Sequence, residues 1–255
     1  MTTDTDRARQ LRESYVAAVG EWDDSLDPLL ELDPDFFEAY VGFAAAPWRD
    51  GGQLEPKVKE LVLLAVDAAA THLHEPGIRL HVRRALEHGA TKDELLEVLQ
   101  LTSTMGIHSV TVGVPVLLEC ADGSGRDPET PLTPRQEEIK REFEEKRGYW
   151  NPFWDGVLDL DPEFFAAYVE FSAHPWERGV LEPKVKELIY TAFDASATHM
   201  YIPGLTQHIE NALGYGATRG EIMEVLALAA PIGIHTHAVA LPILAEELAR
   251  ARDGA

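Results

Sequence analysis

KVKELVLLAVDAAATH, residues Lys57 to His72, returns 184 − 57 = 127 residues later as KVKELIYTAFDASATH, residues Lys184 to His199. Leu61, Val62, Leu63, Leu64, Ala65, Val66, Ala68, Ala69 and Ala70 leave the first copy no wide polar face. The segment is therefore predicted to be a helix over its whole length, buried nearly all round. Its polar residues Glu60, Asp67 and Thr71 fall on one stripe at 3.6 residues per turn, and the second copy repeats them as Glu187, Asp194 and Thr198. A carboxylate without a partner in a core either costs several kcal/mol or takes a proton, so acids kept in both copies need partners, water or a pocket. The structural alternative is local capping or pairing for Glu60 and a core hydrogen bond for Asp67.

Working outward, the same order of elements flanks both copies. A charged amphipathic helix is expected over Arg7 to Val19. Asp33-Pro34 launches the next over Asp35 to Ala45, since aspartate caps well and proline suits the first helical position. Pro47 ends it, and Glu55-Pro56 opens the central helix. Pro76-Gly77 is expected to break that helix, followed by one from about Ile78 to His88 closed by Gly89. Thr91 with Glu94 reads as a capping box for Leu95 to Met105, and Val110 to Cys120 as a last apolar helix. Asp161-Pro162-Glu163-Phe164-Phe165 then repeats Asp33-Pro34-Asp35-Phe36-Phe37, and Pro175-Trp176 repeats Pro47-Trp48. Roughly half the positions agree between 57–119 and 184–246. No stretch alternates with period two between hairpin turns, so no substantial sheet is expected. The fold class is all-α: repeat 1 over 1–121, repeat 2 over 132–255, joined by a Gly, Pro, Asp and Ser linker over 122–131. Two like domains in one chain are expected to pack as a pseudo-two-fold pair.

With 44 acidic against 22 basic residues the net charge is −22, which argues against nucleic acid or an anionic membrane as partner. An anionic substrate would have to be caught by local charge. MTTDTDRARQ carries no apolar signal region and no run approaches the ~18 apolar residues of a membrane span, so a cytoplasmic protein is expected. Cys120 is the single cysteine, which excludes an intrachain disulfide and any Cys-x-x-Cys pair.

Polar residues shared by the two copies are the internal candidates for a site. Besides the acids they include His72 with His199, His81 with His208, His108 with His235, and Thr91 with Thr218. His81 follows Glu60 by 21 residues and His208 follows Glu187 by 208 − 187 = 21, so successive antiparallel helices would bring each acid to an imidazole, an acid/base pair. The structural alternative makes His72 and His199 cations at a helix C-terminus and leaves His108 and His235 at Gly-Ile-His bends. The copies differ after the Pro-Gly turn, where Arg79, Arg83 and Arg84 become Thr206, Glu210 and Asn211. Arg79 and Arg83 are candidates for holding a carboxylate in the first half, against the alternative of a solvated helix face.

Glu60-Leu61, His81, Gly89-Ala90-Thr91 and Glu94-Leu95-Leu96-Glu97-Val98-Leu99, with Glu187-Leu188, His208, Gly216-Ala217-Thr218 and Glu221-Ile222-Met223-Glu224-Val225-Leu226, resemble the carboxymuconolactone decarboxylase family within the alkyl hydroperoxidase D-like superfamily. The resemblance implies an AhpD-like helical domain in tandem and one of two activities: cofactor-free decarboxylation of a small carboxylated lactone, or thiol peroxidase chemistry at a Glu, a Cys-x-x-Cys and a His. Where the cysteine pair would stand, this sequence reads Thr71-His72-Leu73-His74-Glu75-Pro76-Gly77 and Thr198-His199-Met200-Tyr201-Ile202-Pro203-Gly204. Without thiolates the peroxidase route is closed unless another protein supplies the sulfur.

The expectation is a lyase with no cofactor and no metal, in which Glu60, His81, Glu187 and His208 are catalytic. His72, Asp67, Arg79, Arg83, His108, His199, Asp194 and His235 bind a small-molecule substrate. A metal-dependent enzyme using Glu60, His72, His74, His81 and His108 is a rival, although the spacing matches no standard metal motif and His74 becomes Tyr201 in the second half. A non-catalytic oligomeric binding protein is the other. Aromatic residues before the central helices provide surface to bury, and the resemblance implies a homo-oligomer, a trimer mimicking a hexameric ring.

Overall fold

In the computed structural model of the protein, residues 4–121 and 130–253 are described, and most of the expected linker, 122–129, lies outside them. Every regular element among the described residues is helical. The first half runs α1 (Asp4–Val19), α2 (Asp27–Leu32), α3 (Pro34–Ala45), α4 (Pro56–Ala68), α5 (Glu75–Glu87), α6 (Lys92–Ser103) and α7 (His108–Cys120). The second repeats it as α8 (Pro134–Arg147), α9 (Asp155–Leu160), α10 (Pro162–Arg178), α11 (Pro183–Ala195), α12 (Ile202–Gly214), α13 (Arg219–Ala229) and α14 (His235–Asp253). The capping signals act as the residue chemistry requires: Asp33 and Asp161 accept the backbone N–H of Phe36 and Phe164, and Thr91 with Glu94 and Thr218 with Glu221 close reciprocal capping boxes.

The central helix is shorter than its sequence suggests. It ends at Ala68, not His72, because Ala69 turns to an extended conformation and Leu73 enters the left-handed region at φ 48°. That turn lets the His74 N–H reach back to the Asp67 carbonyl at 2.9 Å, and Ser196 with Met200 (φ 51°) and Tyr201 does the same for Asp194. Thr71 and Thr198 thereby leave the polar stripe and are exposed. Pro76-Gly77 does not break a helix; it sits in the first turn of α5, where a missing N–H does no harm.

α4 and α11 lie in one core, with Leu61, Leu64 and Val66 of the first packed in the same cluster as Leu188, Ile189 and Phe193 of the second, all fully buried. Each such side chain contributes about 1.5–3 kcal/mol when removed from water, so the contact between repeats belongs to the core and not to an optional interface. The outer helices cross over. Ile234, before α14, buries against Leu26, Leu29 and Phe37 of the first half, and Ile107, before α7, against Trp154, Leu158 and Phe165 of the second. Buried ion pairs repeat the exchange. Glu224 on α13 accepts the Gln53 and Leu54 N–H groups at 2.7 Å each and pairs with Lys59, while Glu97 on α6 accepts those of Val180 and Leu181 at 2.6 and 2.8 Å and pairs with Lys186. The two halves thus form a pseudo-two-fold pair in which each supplies parts of the other.

Two helical runs, Lys92–Cys120 and Arg219–Arg252, are long and apolar enough to cross a bilayer by length and composition, with hydropathy 1.4 and 1.5. Each run spans two helices that meet at a Gly-Ile-His bend, Gly106 to His108 and Gly233 to His235. Only a short 3-10 turn separates the helices there, so each pair counts as one long apolar stretch.

Candidate active site

Glu60 stands one turn inside α4 with no solvent exposure, and two side chains of α5 meet it. His81 Nδ1 lies 2.8 Å from Glu60 Oε2, and Arg84 Nε donates to Glu60 Oε1 at 2.6 Å. Packing α5 antiparallel on α4 makes this possible, because residues 81 and 84 are one turn apart on the face that α4 covers. The other ring nitrogen of His81 faces Asp67 Oδ2 at 3.5 Å. In the second half His208 Nδ1 lies 2.6 Å from Glu187 Oε2, and Asn211, in the place of Arg84, donates to Glu187 Oε1 at 3.1 Å.

Beyond Asp67 the two halves mix. His72 Nε2 is 2.8 Å from Nδ1 of His235, a second-half residue, and His199 Nε2 is 2.6 Å from Nδ1 of His108, a first-half residue. Asp67 Oδ1 lies 3.6 Å from His72 and 3.8 Å from His235, and Asp194 Oδ1 lies 3.7 Å from each of its two imidazoles. Burial pushes all four rings toward the neutral form, His235 to about 4 and His108 to about 3, the latter also under the influence of His199 and His208. Since α4 ends at Ala68 and α11 at Ala195, His72 and His199 stand four residues beyond a helix C-terminus. Asp194, buried and beside Glu187, is raised to about 8.

The eight binding candidates divide into six that join these two clusters and two, Arg79 and Arg83, that do not. The six residues Asp67, His72, His235, Asp194, His199 and His108 are brought together; the two arginines are not. Arg79 is exposed and paired with Glu75, and Arg83 is exposed and paired with Glu21. The ligand set Glu60, His72, His74, His81 and His108 does not assemble either, because His108 belongs to the cluster of Asp194.

Arg84 pairs with Glu60, and the buried Arg147, from the other half and a different helix, feels the charge of Glu187. Arg84, on α5, is 5.0 Å above the Trp48 ring and also donates to the Val19 carbonyl. Arg147, on α8, is 5.1 Å above the equivalent Trp176, and its position corresponds to Val19 since 147 − 19 = 128, the offset that relates Phe165 to Phe37. Comparing the copies discards both, because each faces a different residue in the other half. The signal that could have found them is the compensating exchange itself, Val19 with Arg84 against Arg147 with Asn211.

A cavity of about 80 Å³ opens at the first cluster, lined by His81, Asp67 and His235 together with Tyr15, Tyr40 and Leu63. Burial raises both tyrosine hydroxyls, Tyr15 to about 12, so they remain donors. The corresponding space in the second half is about 20 Å³. There Tyr190 replaces Leu63 and stacks on His208 with centroids 4.3 Å apart. A larger void of about 470 Å³ lies on the pseudo-two-fold axis, lined by Lys57, Glu94, Leu61 and their counterparts Lys184, Glu221 and Leu188, away from both clusters.

The model of the carboxymuconolactone decarboxylase family matches residues 34–116 and again 162–246. A crystal structure from Burkholderia xenovorans LB400, described as a "putative gamma-carboxymuconolactone decarboxylase subunit", is 50% identical, superposes with a TM-score of 0.90, and covers 96% of this chain and 98% of its own. No curated protein matches the chain.

Proposed function

This chain belongs to the carboxymuconolactone decarboxylase family, and we propose that it is a carboxy-lyase acting on a small carboxylated lactone or related acid in the first-half cavity. The observation that carries the reading is the Glu60–His81 contact at 2.8 Å, with His81 lining a cavity and Glu60 fully buried behind it. Glu60, held by Arg84, accepts from Nδ1 and fixes the ring so that Nε2 points toward the cavity side. His81 is thus the proton carrier and Glu60 its positioning residue, a division of roles finer than a bare acid/base pair.

Loss of carbon dioxide breaks the carbon–carboxylate bond and leaves its electron pair on a carbon conjugated with the lactone carbonyl. A proton from the imidazolium Nε2 of His81 then closes that carbon, and the ring, flanked by Glu60 and Asp67, regains a proton from solvent. Apolar Leu26, Leu63 and Ile232 line the rest of the cavity and would keep water from the carbanion. The substrate class is suggested by the similar structure's description. Exposed Val112, Val116, Val239 and Ile243 on α7 and α14 support association of chains on the same reading.

The test is release of carbon dioxide from gamma-carboxymuconolactone and related carboxylated lactones, with His81→Gln as control. Turnover by the native chain that falls with the variant supports the reading. A full panel left unconverted by folded protein overturns it.

A further inference from the structure

We propose that each half holds one divalent transition-metal cation at a two-histidine, one-carboxylate set built across the repeats: Asp67, His72 and His235 in the first, and Asp194, His199 and His108 in the second. The assignment goes beyond the lyase reading and stands independently of it.

Three observations converge. The first is geometry. Ligand atoms bound at about 2.0–2.2 Å stand about 2.9 Å apart around an octahedral cation and about 3.4 Å around a tetrahedral one. The first set has edges of 2.8, 3.6 and 3.8 Å and the second 2.6, 3.7 and 3.7 Å, so a cation would need shifts of only a few tenths of an ångström. The two sets are related by one offset, since 194 − 67, 199 − 72 and 235 − 108 all equal 127. In the first half His74 places a fourth donor so that all four ligand atoms lie within 4.8 Å of one another.

The second observation is unmet bonding capacity. Asp194 is fully buried and neither of its oxygens has a hydrogen-bond partner among the described residues; Asp67 Oδ2 and His74 Nε2, also buried, have none there either. Buried polar atoms almost always find partners, and a buried carboxylate with none lacks the positive charge that would keep it ionised. A dication supplies that charge. The backbone keeps the space open, because a Cβ on Gly77 or Gly204 would collide with Asp67 Oδ2 or Asp194 Oδ2.

The third is support. His81 Nε2 on Asp67, and Glu60 behind it, form the outer layer that orients a ligating carboxylate. A cation there also answers the charge problem of an anionic substrate, because no Lys or Arg among the described residues lines the first cavity. The halves differ in one donor. Tyr201 stands where His74 does, stacks on His108 with centroids 3.8 Å apart and bonds Thr111 through its hydroxyl, leaving the second set three protein ligands.

The experiment uses the full chain purified without a histidine tag, stripped with chelator, loaded with cobalt(II) or zinc(II) and gel-filtered before elemental analysis. The native chain should retain about two equivalents and show a cobalt ligand-field spectrum. His235→Ala and His108→Ala should each lose one equivalent, from opposite halves, and the isosteric Asp67→Asn and Asp194→Asn should do the same where an alanine variant fails to fold. A native chain that retains no metal overturns the proposal, as does a His108→Ala, His235→Ala double variant that retains the native amount. Two neutral histidine pairs joined by N–H···N bonds would then be the whole content of the clusters. Since turnover is not the readout, a chain that binds metal without decarboxylating overturns the lyase reading alone.

Discussion

The first cavity and the second are built from the same helices in the same order, yet one is about 80 Å³ and the other about 20 Å³. What is common to both is the buried machinery: Glu60 with His81, Glu187 with His208, and an aspartate facing two imidazoles in each half. What differs is the wall. Tyr190 on His208 fills the space that Leu63 leaves open over His81, and the arginine comes from α8 in place of α5. The two halves keep the same buried groups and differ in side chains that a ligand would touch. If room decides binding, a site is repeated as architecture and single as a receptor.

The largest expected effect tests that singularity. Once a substrate is in hand, His81→Ala should lower turnover by about 10²–10⁴-fold, the range for loss of a general acid, while His208→Ala changes it by less than about threefold at equal folded concentration. Equal losses would break the comparison. Tyr190→Leu in a His81→Ala background sharpens it, since opening the second cavity should restore part of the activity only if room is what the second half lacks.

Next in size is the arginine exchange. Arg84→Met leaves Glu60 buried with its strongest partner gone and should destabilise the chain by about 3–5 kcal/mol in urea denaturation. Val19→Arg added to Arg84→Asn gives the first half the arrangement of the second and should recover part of the loss. A double variant no more stable than Arg84→Asn alone would show that Arg147 does not replace Arg84 energetically.

The smallest effect concerns a feature that the halves share. Burial would raise the Glu94 and Glu221 carboxyls, but bonds from Lys57 and Thr91, and from Lys184 and Thr218, outweigh it and hold both below their ordinary value of 4.5. A carboxyl with a depressed folded value stabilises above its unfolded value, and that contribution is lost as pH falls through the folded one. Denaturation followed from about pH 6 down to pH 3 should show equal acid-side slopes removed by Glu94→Gln and by Glu221→Gln. A clear inequality would mean that the asymmetry reaches the capping boxes as well as the cavity walls.

The sequence alone determined the helical class, the duplication and the Glu60–His81 and Glu187–His208 pairs. Each follows from local periodicity and from a 21-residue separation that two packed helices can span, and such short-range geometry is written in the order of residues. The reach of His235 into the first cluster and of His108 into the second was decided by tertiary structure, because α7 and α14 cross to bury Ile107 and Ile234 in the opposite half. Glu97 and Glu224 were legible as part of a motif, but their partners lie at separations of 83 and 171 residues, which no local pattern reports. Arg147 and Tyr190 escaped because the internal comparison keeps only what both copies share, whereas a cavity takes its shape from what they do not. Short-range spacing fixes which groups a helix presents; the burial of apolar faces between helices far apart in the chain decides which groups meet, and how much room is left between them.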